Sequence, residues 1–323
     1  TRAWALPEDC HPTNWAAREM SRMMHRRDRR KPAFWYLSFI GPHQPVWPLQ
    51  AYLDIYRHSE IDSPVFGSWS EDVEKLPYAL RRLRERFAIA DAPEAEMELA
   101  RRAFYATVTH IDHQIRIVLG YLREQDLLDN TIIGFTSDHG DLLGDHGLWA
   151  KSMFYERSAH IPFLLVPPQG DERLGLHQQD HRLVELQDMM PTLLDLAGLP
   201  IPDSVDGQSL LRSEARDFLY GEFEVGETAS RMVRAGDYKL IYYPSGNQLQ
   251  LFNIAEDPRE TRELSGLPEF ASEVERLKTI LIDQFYQEDL DWLQNGELVG
   301  VTEPEYAPRD QRNLTAQRGL RFL

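Results

Sequence analysis

Apolar residues follow three different patterns along the chain. Residues 33–40, AFWYLSFI, form an almost unbroken apolar and aromatic run between Pro32 and Gly41-Pro42, which predicts a buried strand ending in a turn. Over residues 94–128 the apolar positions instead recur in steps of three and four: Met97, Ala100, Phe104, Val108, Ile111, Ile115, Val118 and Leu122. That period predicts one long amphipathic helix. Asp129 and Asn130 end it, and residues 131–136, TIIGFT, and 161–166, IPFLLV, read as two further strands. Near-continuous strands alternating with helices predict an α/β fold with a largely parallel sheet sandwiched by helices. A helix over 188–197 is stopped by Gly198. From about Asp217 the pattern changes to short strands, FLYGEF, ASRMVRAGDYKLIYY and QLQLFNI, joined by Gly and Asp turns, hence an antiparallel sheet. A helix over 269–292 closes this region. The expected organisation is an α/β core portion over 1–212, an antiparallel sheet plus helix over 213–295, and an extended arm over 296–323.

Composition narrows the function. The 323 residues are 42% hydrophobic and 27% charged, enough to build a large core. A net charge of -17, from 35 basic and 52 acidic residues, excludes a general nucleic-acid binder, which needs a basic footprint. It does not exclude a small anionic substrate, because one pocket can be locally positive. No apolar run is long enough for a membrane span. Cys10 is the single cysteine, so neither an intrachain disulfide nor a Cys-rich zinc site is available. The localisation stays open, and Asn313-Leu314-Thr315 is only a weak glycosylation pattern.

The candidate chemistry lies where strands end. The 33–40 strand runs into GPHQP, which places His43 in a turn, and the 131–136 strand runs into SDHGD, which places Asp138 and His139 directly after it. Ligands of open α/β sheets bind beyond the carboxyl ends of strands, so parallel strands would bring both clusters to one edge. Asp138 offers a hard anionic oxygen and His139 an imidazole nitrogen, while Gly140 lets the backbone bend close.

The surrounding motifs carry a family resemblance. TSDHG, then GDHGLWAK, YE and IPF, closely resemble the sulfatase and phosphonate monoester hydrolase branch of the alkaline phosphatase superfamily. LSFIGPHQPVWP, YATVTHIDHQI, DMMPTLLDLAGLPIPDSVDGQSL, RAGDYKLIYY and LFNIAEDPRETREL are similar to further segments of that family, in the same order. The resemblance implies an alkaline phosphatase-like core. It implies that Asp138 and His139 are two ligands of one divalent ion (Ca, Mn or Mg), and that Lys151 contacts the sulfuryl or phosphoryl oxygens. His43 would face the anionic group or the leaving-group oxygen. Each role is chemically sensible: the ion polarises the ester oxygens, the ammonium offsets charge, and the imidazole protonates a departing alkoxide. His146 has two readings, lining the substrate pocket or only holding the loop. His110 and His113 read as satisfied helix-face residues, and His160 stands where many relatives carry Arg.

Two expected elements do not appear in this sequence: an early strand with paired aspartates, and the Cys-x-Pro-Ser-Arg type of motif whose Cys becomes a formylglycine nucleophile. Cys10 sits in CHPTN, with Asn14 where the motif has Arg, only 33 residues before His43. That stretch reads as the start of an amphipathic helix with Thr13 or Asn14 near its cap. The chain opens without Met, and the expectation is that it carries one side of an active site. An N-terminal segment or separate fragment would complete it. A sheet without those early strands would leave a large apolar surface open. The leading function is hydrolysis of sulfate monoesters, with phosphonate monoester or phosphodiester hydrolysis as the alternative. The Asp-His pair tilts toward the alternative, since imidazole suits Mn better than Ca. A non-catalytic anion-binding or assembly module is the reading from a different class. The resemblance and the C-terminal arm are compatible with a homo-oligomer.

Overall fold

The computed structural model describes residues 2–87, 92–174, 178–212 and 214–307. The first helix, α1 (Pro12–His25), starts where Pro12 fits the first turn and the His11 imidazole accepts the Thr13 amide. It buries Ala17, Met20 and Met24 against Val118 and Leu122 of the long helix. Next come α2 (Gln50–Tyr56), α3 (Tyr78–Arg86) and the long amphipathic helix, α4 (Glu94–Glu124), close to its expected span. Both α1 and α2 pack along α4.

Residues 33–40 depart from expectation. They are extended but form no ladder among the described residues. Trp35 and Leu37 pack on the α1–α4 cluster, whereas Phe34, Tyr36 and Ile40 point outward, each 78–79% exposed. The period of two is that of a strand, and the partner strand is what is lacking. A second correction concerns direction. Strand β1 (Ile133–Thr136) pairs with β2 (Phe163–Val166) in antiparallel register, Ile133 opposite Val166 and Thr136 opposite Phe163. No parallel strand ladder occurs among the described residues, apart from an isolated bridge between Ser245 and Val301. The cause is the connection. A parallel neighbour needs a helical crossover, but the only α-helix between β1 and β2 is the four-residue α5 (Glu156–Ala159). The intervening chain folds away as a loop and returns at the same end.

Beyond α6 (Met189–Leu196), strands β3 (Leu219–Phe223), β4 (Ser230–Ala235), β5 (Tyr238–Tyr243) and β6 (Gln248–Asn253) form the expected antiparallel meander. Gly236, at φ 60°, takes the first place of the two-residue β4–β5 turn, a geometry whose twist matches the strands it joins. Alternate residues sort into two cores. Val233, Leu240, Tyr242 and Leu251 meet Leu277 and Leu281 of α7 (Ala271–Asp283). Ile241, Tyr243 and Phe252 meet Leu80 and Leu83 of α3 together with Leu142, Leu148 and Tyr155. Covered on both faces, β5 is apolar at consecutive positions. The helix expected over 269–292 divides at residues 284–286 into α7 and a 3-10 turn at Gln287–Trp292, where Gln287 has φ 50°. A short hairpin, β7 (Leu293–Gln294) with β8 (Glu297–Leu298), follows. Of the expected arm, residues 308–323 lie outside the described residues.

Candidate active site

The turn after β1 is organised by its own polar groups. The Asp138 carboxylate accepts the His139 amide at 3.0 Å, and the Ser137 hydroxyl donates to the His139 carbonyl at 2.7 Å. The His139 ring donates from Nδ1 to the Gly140 carbonyl at 2.7 Å, which fixes its tautomer and leaves the Nε2 lone pair free to accept. That lone pair accepts the Lys151 ammonium at 2.7 Å, and Asp138 Oδ2 lies 3.5 Å from the same nitrogen. Gly140 is required here. A Cβ would fall 2.0 Å from the Arg157 carbonyl oxygen, and the Gly140 amide donates to the Ser158 carbonyl at 2.8 Å.

His43 arrives from the end of the extended 33–40 segment. Its Nδ1 donates to the Gln44 carbonyl at 2.6 Å, and its ring centroid lies 6.4 Å from that of His139. The structure thus brings His43, Asp138, His139 and Lys151 together, although the strands leading there differ from the expected parallel set. Two neighbours were not singled out from sequence. Gln44 donates to Asp141 Oδ2 at 3.2 Å, and burial raises the Asp141 carboxyl against the pull of amide hydrogen bonds from Leu143 and Ala150. An Asp and a Gln carry no spacing signal of their own.

His146 lies elsewhere. It is buried, its Nδ1 accepts the Gly67 amide at 3.1 Å, and Trp69 and Tyr155 pack on its ring at 4.8 and 5.6 Å. It lines a separate cavity of about 280 Å³ with Arg157, Arg259 and Glu260. His110 is buried on α4, bonded to Asn14 and stacked on Tyr52 at 4.7 Å. Cys10 is exposed, just before α1.

The loop from 142 to 152 joins the Asp-His pair to the lysine, and it is strained. Leu143, His146, Ala150 and Ser152 all have φ between 48° and 87°, alongside Gly144 and Gly147. Each such non-glycine residue costs on the order of 1–2 kcal/mol, so the surroundings must hold the loop in place. Buried charges do so. Asp145 accepts the Val65 amide at 3.0 Å and Arg157 Nε at 3.1 Å, and Asp62, held well below the usual carboxylate range by Tyr105, Arg157 and Arg101, ties Arg157 to α4.

As a metal site the donor set is chemically suitable and incomplete. An exposed carboxylate and an imidazole lone pair converge, but among the described residues no group of three or more His, Cys, Asp or Glu could hold an ion.

Residues 12–199 match the Sulfatase family model, and residues 144–287 match the N-sulphoglucosamine sulphohydrolase, C-terminal model. The chain belongs to the sulfatase family. Among curated sulfatases it is 35% identical over 292 residues to an arylsulfatase of Clostridium perfringens, covering 88% of this chain and 60% of that protein. It is 31% identical over 251 residues to a choline-sulfatase of Rhizobium meliloti, covering 75% of this chain and 48% of that protein. The chain thus spans roughly half to three-fifths of the length of these sulfatases. Its fold matches the phosphonate monoester hydrolase SpPMH of Silicibacter pomeroyi with a TM-score of 0.74, at 21% identity, over 88% of this chain and 62% of that one. The alkaline phosphatase-like fold expected from sequence is therefore the fold present. Among the described residues no helix is long and apolar enough to cross a membrane.

Proposed function

We propose that this chain carries one side of the active site of a sulfuric ester hydrolase acting on a small anionic sulfate monoester. The observation that supports this most is the convergence of the Lys151 ammonium, His139 Nε2, Asp138 and the His43 ring beyond the strand ends. Lys151 would bind the sulfuryl oxygens and stabilise the charge that builds on them. His43, with Nδ1 held by the Gln44 carbonyl, would present Nε2 to the leaving oxygen and, when protonated, donate to it. A divalent ion (Ca, Mn or Mg) would take Asp138 and His139 Nε2 as two of its donors, replacing the Lys151 ammonium at that lone pair and freeing it for the sulfuryl oxygens, and would polarise the ester oxygens. The nucleophile, of formylglycine type, and the remaining donors are assigned to further polypeptide, whether in the same chain or as a separate fragment. Its strands would cover Phe34, Tyr36, Phe135 and Leu164, all exposed here.

Phosphonate monoester hydrolysis is the second reading, favoured by the imidazole in the Asp-His pair. Turnover of an aryl sulfate against a phenylphosphonate ester, by the full-length enzyme, separates the two. Lys151→Ala and His43→Ala are expected to lower kcat/KM by at least 100-fold, about 3 kcal/mol of transition-state stabilisation, with little change in melting temperature. Full activity in both variants sinks the assignment. Inactivity of the unaltered full-length enzyme on both esters leaves the non-catalytic module.

A further inference from the structure

The chain just after Lys151 is held by residues that come about a hundred positions later. Lys239 on β5 is buried at 1% exposure, and its ammonium donates to the Phe154 carbonyl at 2.6 Å and to Glu156 Oε1 at 2.8 Å. The same ammonium lies 2.6 Å from Glu260 Oε1, as an ion pair whose angle is poor for a hydrogen bond. Glu260 Oε2 accepts the Glu156 amide at 2.7 Å. Its carbonyl accepts Trp69 Nε1 at 2.8 Å, and the Trp69 ring packs on His146 and Tyr155. Next to it, the Arg259 guanidinium lies 3.4 Å from Asp145. Burial raises the Glu260 carboxyl, whereas His160, Lys239 and Arg234 outweigh burial and bring Glu156 down to about 2.

These contacts grip the chain three and five residues after Lys151 and again at residues 145–146. Further holds on the loop include Arg101 of α4, which donates to the Leu143 carbonyl at 2.5 Å, the Val65 amide and Arg157 on Asp145, and the Leu142 amide bonded to the Ala150 carbonyl at 2.7 Å. Of the four non-glycine residues in left-handed conformations, Ala150 and Ser152 lie between the holds at 145–146 and those at 154–156, so this stretch has a lower-energy course open to it once the later grip fails. We propose that Glu260, acting with Lys239, is a positioning residue: it clamps residues 154–156 and thereby holds Lys151 at the Asp138–His139 turn. This rests on the reading of Lys151 and His139 as active-site groups. A salt bridge that served stability alone would not need to meet the strained loop at its Lys151 end.

The test uses Glu260→Gln in the full-length enzyme. Expected are at least tenfold faster amide exchange over residues 142–152 and at least a tenfold fall in kcat for an aryl sulfate, with KM within twofold. Adding Ala150→Gly, which removes the Cβ penalty at φ 64°, is expected to restore at least a third of the lost kcat. If Glu260→Gln does not fold, Glu260→Asp retracts the carboxylate by one methylene and carries the same expectations. A lowered melting temperature with loop exchange and kcat both unchanged overturns the proposal, as does failure of Ala150→Gly to restore turnover. Faster loop exchange in a protein whose unaltered form hydrolyses neither ester keeps the clamp and overturns the hydrolase reading.

Discussion

The two principal sheets of this sulfatase-family chain are made from strands of similar apolar character, yet one is closed on both faces and the other is open. In the meander, Val233, Leu240, Ile241, Tyr242, Leu251 and Phe252 are buried, with α7 on one side and α3 plus the site loop on the other. In the β1–β2 pair, Phe135, Leu164 and Val166 are 43–52% exposed, and Phe34 and Tyr36 of the unpaired 33–40 segment more so. The contrast follows from topology. Each meander strand finds its partner a few residues along the chain, so that sheet completes itself. Strands of a nonlocal sheet draw their partners from distant sequence, and here the site loop occupies the place of a crossover. The difference teaches that the candidate-site loop is backed by the closed sheet, whereas the strand pair that leads into it is open.

Three measurements would break or sharpen that contrast. The largest effect is expected from Lys239→Met, which leaves Glu156 and Glu260 facing each other without their buried cation. A stability loss of about 3–5 kcal/mol in urea unfolding is expected, and a loss under 1 kcal/mol would show that the closed sheet does not depend on this junction. Next, Leu240→Ala, fully buried, should cost about 2–5 kcal/mol. Leu164→Ala, half exposed, should cost less than about 1 kcal/mol. Equal costs would erase the distinction between the sheets. The smallest effect is acid loosening of the helical layer. Burial, with His11 and His113 nearby, lowers His110 from 6.5 to about 4. The unfolded state therefore binds the proton first. Stability contributed by neutral His110 is full above pH 6.5 and is lost as pH falls toward 4. In His110→Gln the fall across that window should shrink, and an unchanged slope would assign it to other groups.

Much of this was legible in the sequence, for local reasons. The step of three and four along α4, the two-residue turn at Gly236 and the Asp138–His139 turn after β1 are each fixed by residues close in sequence. What escaped depends on distance. Residues 33–40 have the alternation of a strand, but pairing belongs to the partner. The direction of β2 was decided by how residues 137–162 return, which no apolar pattern encodes. Within the site, motif register pointed to His43, Asp138, His139 and Lys151. His146 shared that register and is packed beneath Trp69 in a separate cavity. Asp145, Lys239 and Glu260 were illegible because their partners lie up to about a hundred residues apart, and a buried charge reads on paper as a surface one.

The grip on residues 154–156 also sets an order of events at the ribosome. The chain from Thr136 to Lys151 is made well before Lys239 and Glu260, and at ordinary synthesis rates about a hundred residues take roughly 5–20 s. During that interval the left-handed turns have their contacts to Arg101, Val65 and Arg157 but lack the grip of Lys239 and Glu260. The nascent site is therefore expected to be unassembled until the meander emerges, and a chain released before Glu260 would fold its early helices yet never present Lys151 to His139.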